Sequence, residues 1–101
     1  MPRATALTAQ ELLLLANLRQ EGYTYTFHLT KDCIVCNETQ ECYGAETFHV
    51  NELHAYGRDK EERRLAYALE FNDGEKGVLM ALSKDVNDIE DPTLYGKLLI
   101  V

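Results

Sequence analysis

Leu65-Ala66-Tyr67-Ala68-Leu69-Glu70-Phe71-Asn72-Asp73-Gly74-Glu75-Lys76-Gly77-Val78-Leu79-Met80-Ala81-Leu82 reads as two strands and the turn between them. Leu65, Tyr67, Leu69 and Phe71 alternate with Ala66, Ala68 and Glu70, a period of two that sends successive side chains to opposite faces of a sheet. Asn72-Asp73-Gly74 is a turn signal, so the two runs are expected to pair as an antiparallel hairpin. Gly77 to Leu82 is apolar on both alternating sets, which predicts a second strand covered on both faces.

Toward the N-terminus, Thr8 and Glu11 have the spacing of a capping box, and Glu11 to Glu21 are good helix formers ending at Gly22. Leu12, Leu15 and Leu18 form the expected buried stripe, broadened by Leu13 and Leu14, packing on a sheet that contains Phe27, Leu69 and Val78. Tyr23, Tyr25, Phe27 and Leu29 alternate with Thr24, Thr26, His28 and Thr30, predicting a short strand with His28 facing solvent. Lys31 to Ala45 reads as a loop with a brief strand or hairpin near Gln40 to Tyr43. From Phe48 to Tyr56 the apolar alternation breaks around Glu52, the mark of a strand with a bulge.

Arg58 to Arg64 reads as a solvated turn, and so does the acidic stretch Asp85 to Asp91, which lacks the Gly and Glu positions of a calcium loop. Asp91-Pro92 places an N-cap before a proline at the first helical position, with Leu94, Tyr95, Leu98 and Leu99 as the apolar face. The expected fold is α+β in one domain over residues 1–101. An N-terminal helix packs on a small, at least partly antiparallel sheet of about four strands, followed by a short C-terminal helix or strand.

Ten Lys and Arg against 17 Asp and Glu give a formal net charge of -7. Such a surface repels phosphate backbones and anionic headgroups, so neither nucleic acid nor membrane is an expected partner. The longest apolar run, Leu12 to Ala16, is far short of the roughly 20 residues that span a bilayer. The first residues lack the regions of a signal peptide, and a cytoplasmic location is expected. Three cysteines in such a chain are expected to be thiols or metal ligands rather than a disulfide framework.

Cys33-x2-Cys36-x12-His49-x4-His54 satisfies the spacing of a two-Cys, two-His zinc site, and Cys42 offers a third thiolate. Thiolate and imidazole are the ligands zinc prefers, so zinc is the candidate cofactor, with Cys33, Cys36, Cys42, His49 and His54 as candidate ligands. Against it, Gln40 and Glu46 stand where a finger carries its small apolar core, and His49 and His54 would face opposite ways on a strand unless a bulge re-aims one. Ordinary, partly buried thiols are the leading reading of the cysteines, ahead of the metal site and of a redox pair.

Gly22-Tyr23 with Phe27 and Leu29, Cys33-Ile34-Val35-Cys36, Phe48-x-Val50-x-Glu52, Tyr67-Ala68 and Lys76-Gly77-Val78-Leu79 occur in that order. Together they resemble a small, largely uncharacterised family of bacterial proteins of similar length, some labelled phosphoribosylpyrophosphate synthetase. The resemblance covers Leu12 to Leu82 and departs after Leu82. It implies an enzyme acting on a phosphorylated sugar, whose chemistry needs a loop wrapping phosphate with backbone N–H groups. Gly74 and Gly77 are the only paired glycines, and they sit in a hairpin. The leading expectation is therefore a non-enzymatic domain that binds another protein or a copy of itself, with no catalytic residues. A zinc-binding protein and a sugar-phosphate enzyme are the alternatives.

Overall fold

The computed structural model describes residues 9–56 and 63–99. Its centre is the hairpin of β5 (Arg64–Phe71) and β6 (Lys76–Leu82), paired antiparallel from Arg64 opposite Leu82 to Glu70 opposite Lys76. Gly74 closes the turn at φ 92°, a backbone region open to glycine. Leu65 through Leu69 are each no more than 1% exposed, so β5, like the first half of β6, is covered on both faces.

Four further strands flank the hairpin among the described residues: β1 (Tyr25–Leu29), β2 (Ile34–Cys36), β3 (Cys42–Tyr43) and β4 (Phe48–Tyr56). The sheet order is β3-β2-β1-β6-β5-β4. Neighbours pair antiparallel except β1 and β6, which run parallel with Phe27 opposite Leu79. Two antiparallel three-strand units thus join along β1 and β6. Tyr43 on β3 and Phe71 on β5 stand four strand positions apart, roughly 19 Å in a flat sheet. Their rings are 5.1 Å apart, so the sheet curls on itself.

One face carries α1 (Ala9–Gln20), seated on Tyr23, Ala66, Ala68 and Val78 through Leu18, with Leu14 and Leu15 half-buried beside it. Ala66 and Ala68 present only methyl groups to the helix above them. Glu11 is 1% exposed, and its carboxylate accepts a hydrogen bond from Arg64 Nη1 at 2.7 Å. The buried stripe therefore runs Glu11, Leu14, Leu15, Leu18, at i, i+3, i+4 and i+7. This corrects the expected Leu12, Leu15, Leu18 stripe: Leu12 and Leu13 are exposed, and Phe27 and Leu69 lie on the opposite face of the sheet. Thr8, the other half of the expected capping box, and residues 57–62, most of the expected charged turn, lie outside the described residues.

The opposite, concave face holds the larger core. Phe27, Ile34, Phe48, Leu65, Tyr67, Leu69, Phe71 and Leu79 pack there under Val86 of α2 (Ser83–Asn87), Ile89, and Leu94 and Leu98 of α3 (Pro92–Leu98). Asp91 caps α3, its carboxylate accepting from the Leu94 amide at 3.2 Å. The Tyr67 hydroxyl donates to the Leu98 carbonyl at 2.6 Å, so the one polar atom it carries into the core is satisfied.

The class is α+β, as expected, with two corrections. Among the described residues the sheet has six strands rather than about four, because the cysteine segment contributes β2 and β3 instead of remaining largely loop. The C-terminal segment is helix, preceded by α2 where a solvated acidic turn was expected, because Val86 is drawn into the core. No helix of the described residues is long and apolar enough to cross a membrane.

Candidate binding cleft

The cysteines separate. Cys33 leads into β2 and Cys42 lies opposite Val35 on β3; the two are joined as a disulfide with Cα atoms 6.2 Å apart. Cys36 lies opposite Phe27, on the concave face, 2% exposed, with Sγ 3.5 Å from Glu38 Oε1. Residues three apart on a strand point to opposite sides, so Cys33-x2-Cys36 does not present two sulfurs to one ion. The expectation of unpaired cysteines is corrected here for Cys33 and Cys42.

His49 and His54 lie on β4, at the other edge of the sheet from β3. The bulge between Val50 and Glu52 is where the broken alternation put it, and it turns both imidazoles to the α1 face, opposite Glu70 and Ala66. His49 stands 3.9 Å from Glu70, and His54 3.0 Å from Glu52. The five candidate ligands are thus divided between the two edges and the two faces. No three His, Cys, Asp or Glu side chains converge into a metal-holding group among the described residues. His28 is exposed, as expected, with Nδ1 2.6 Å from Asn37 Oδ1.

What the fold does bring together is an open cleft of about 340 Å3 at one end of the concave face. Tyr25 and Phe27 come from β1, Cys36 from β2, Thr39 and Glu41 from the β2–β3 turn, Tyr43 from β3, and Phe71, Asp73 and Glu75 from the end of β5 and its turn. Curvature makes the cleft, by drawing Tyr43 across to Phe71. Phe27 stacks on Phe71 at 5.1 Å between ring centroids and meets Tyr43 edge-on at 5.8 Å. The floor is apolar and buried, formed by Phe27, Phe71 and Cys36, whereas Glu41, Asp73 and Glu75 stand exposed at the rim.

The rim sets the electrostatics. The negative charge of Glu75, and a hydrogen bond to it, raise the Tyr25 phenol above its ordinary pKa. Burial, then the charge of Glu41, raises Tyr43 likewise. The Glu75 contribution at Tyr25, and the smaller Glu41 contribution at Tyr43, come from a rim field that favours positive charge.

No family model, curated protein or solved structure matches the chain.

The cleft's own chemistry is then what indicates a ligand. Aromatic faces carry negative quadrupole charge and attract cations within about 6 Å. The floor offers few hydrogen-bond acceptors, which disfavours a strongly hydrated ammonium and suits an alkylated one. The sequence reading missed this site. Tyr25, Tyr43 and Phe71 read as strand residues and the acids as turn residues, and residues spread from Tyr25 to Glu75 form no linear motif.

Proposed function

We propose that the protein is a small binding domain, without catalysis of its own, that captures an organic cation, an alkylated ammonium group, in the cleft between β1, β3 and the β5–β6 turn. The observation that carries this reading is the pairing of an aromatic lining, the half-buried Tyr25 and Tyr43 around the buried Phe27–Phe71 stack, with an acidic rim of Glu41, Asp73 and Glu75. The net charge of -7 supports it by drawing cations toward the whole surface. A trimethylated side chain on a partner protein and a free quaternary amine share this chemistry. The partner protein agrees with the interaction role expected from the sequence, in a cytoplasmic setting.

Cation–π contacts contribute about 0.5 to 2 kcal/mol each. With two or three rings and the rim field, less the cost of ordering, a small cation should bind with about 4 to 5 kcal/mol, a Kd of roughly 0.2 to 1 mM. Calorimetry with tetramethylammonium, against tert-butanol as a neutral body of similar size, tests the reading. Saturable binding of the cation alone is expected, weakened at least fivefold in Glu75→Gln. Equal affinity for both would make the cleft merely apolar. A blocked trimethyl-lysine binding more tightly than choline favours the protein partner, and the reverse favours the small amine.

A further inference from the structure

We propose that the Cys33–Cys42 disulfide is a redox latch on the cleft: reduction releases β3, and with it the wall formed by Glu41 and Tyr43. The proposal rests on the reading of the cleft as the binding site.

β3 is two residues long and pairs with β2 at two positions, Ile34 with Tyr43 and Val35 with Cys42. The Cys36 amide adds a hydrogen bond to the Glu41 carbonyl at 2.9 Å. At the edge of the sheet, so short a strand is held by few backbone bonds, and local opening is correspondingly easy. The disulfide is the covalent tie across that pair, placed directly beside the two wall residues. Gln40, in the turn between the strands, has φ 63°, a left-handed conformation uncommon for a side-chain-bearing residue that opening would release.

The latch is also reachable. Cys42 is exposed and Cys33 half-buried, on the face of the sheet away from the larger core. Cys36 lies buried on the other face and keeps its thiol out of the exchange. The step needs a dithiol reductant. One of its thiolates attacks a sulfur of the disulfide and the other resolves the mixed disulfide, so two electrons pass to the protein. Cys33 and Cys42 leave as thiols while the reductant closes into its own disulfide. Oxidation of the two thiols reverses the step.

The test uses the whole protein, oxidised and after dithiothreitol, with thiols counted in each state. Tetramethylammonium affinity is measured by calorimetry, and amide hydrogen exchange is followed at Cys36 and Tyr43, with Tyr67 and Leu79 as core references. The expected result is affinity at least fivefold weaker after reduction and restored on reoxidation, with protection lost at Cys36 and Tyr43 but kept at Tyr67 and Leu79. The double variant Cys33→Ser, Cys42→Ser should match the reduced protein without reductant. Equal affinity in both states, or unchanged exchange at Cys36 and Tyr43, overturns the latch alone. Loss of protection at Tyr67 and Leu79 overturns it too, because the effect would be global unfolding. Absence of binding in both states overturns the reading of the cleft and the latch with it.

Discussion

Gly77 lies beneath the ring of Phe27 so closely that a Cβ on Gly77 would fall inside the ring's contact distance and 2.9 Å from the Tyr25 carbonyl oxygen. β1 and β6 run parallel at this point, with Tyr25 opposite Gly77, and the missing side chain is what lets Phe27 lie across β6 to stack on Phe71. Gly77→Ala should therefore cost about 1 to 3 kcal/mol as overpacking and displace a wall of the cleft. A denaturant midpoint equal to that of the unmodified protein would show that the ring has room to move.

On the other face, α1 is anchored by Leu18 and Glu11. Leu18→Ala should cost about 2 to 5 kcal/mol as a cavity under the helix. Leu12→Ala, at an exposed position, should stay within about 0.5 kcal/mol. Glu11→Ala should also destabilise, because it removes the buried carboxylate that accepts from Arg64 Nη1 at 2.7 Å under the helix. Chemical denaturation of the three variants orders them, and a large effect at Leu12 would mean that the helix turns its other face inward.

These two regions show what was legible in the sequence. The β5–β6 hairpin was readable because long runs with a period of two flank a turn tripeptide. The bulge in β4 was readable because the break in alternation is its direct imprint. The helix was readable, but its buried face was not, since that face includes Glu11, an acidic residue that meets Arg64 from β5 in the interior. β2 and β3, at three and two residues, are too short to show a period. The Cys33–Cys42 pairing is a consequence of β2–β3 register, which no spacing rule encodes. The cleft depends on sheet curvature that brings β3 within reach of β5, and nothing local in either strand records that approach.

Burial pushes the Tyr67 phenol up to about 12 from its ordinary 10.0. The folded state thus holds a proton that the unfolded chain gives up nearer pH 10. This contribution to stability is fully present below the unfolded value and is lost as pH rises through the folded one. A difference of about two pKa units corresponds to roughly 2 to 3 kcal/mol. Stability measured from pH 9 to 12 should fall by that order, and Tyr67→Phe should flatten that part of the profile. An unchanged slope in the variant would assign the alkaline loss to other groups.

The disulfide closes a short loop with a sequence separation of nine. In the loop-entropy model this contributes roughly 2.5 to 3 kcal/mol. Reduction should lower Tm by roughly 10 to 20 °C while leaving the core folded at room temperature. A chelator should leave Tm unchanged, because two of the five candidate zinc ligands are tied to each other and the imidazoles lie across the sheet. A chelator-induced drop in Tm, abolished by Cys36→Ser, would restore the metal reading.

If the cleft selects an organic cation through its rings, as proposed, those rings must sense the bound ligand. Tetramethylammonium titrated into the oxidised protein at constant ionic strength, followed by the ring-proton resonances of Tyr25, Phe27, Tyr43 and Phe71, tests it most directly. Saturable shifts of these four rings are expected, with a common midpoint of roughly 0.2 to 1 mM, while the resonances of Tyr23 and Phe48 stay in place. Shifts spread evenly over the acidic surface, or equal shifts with sodium ion at the same concentration, would contradict it.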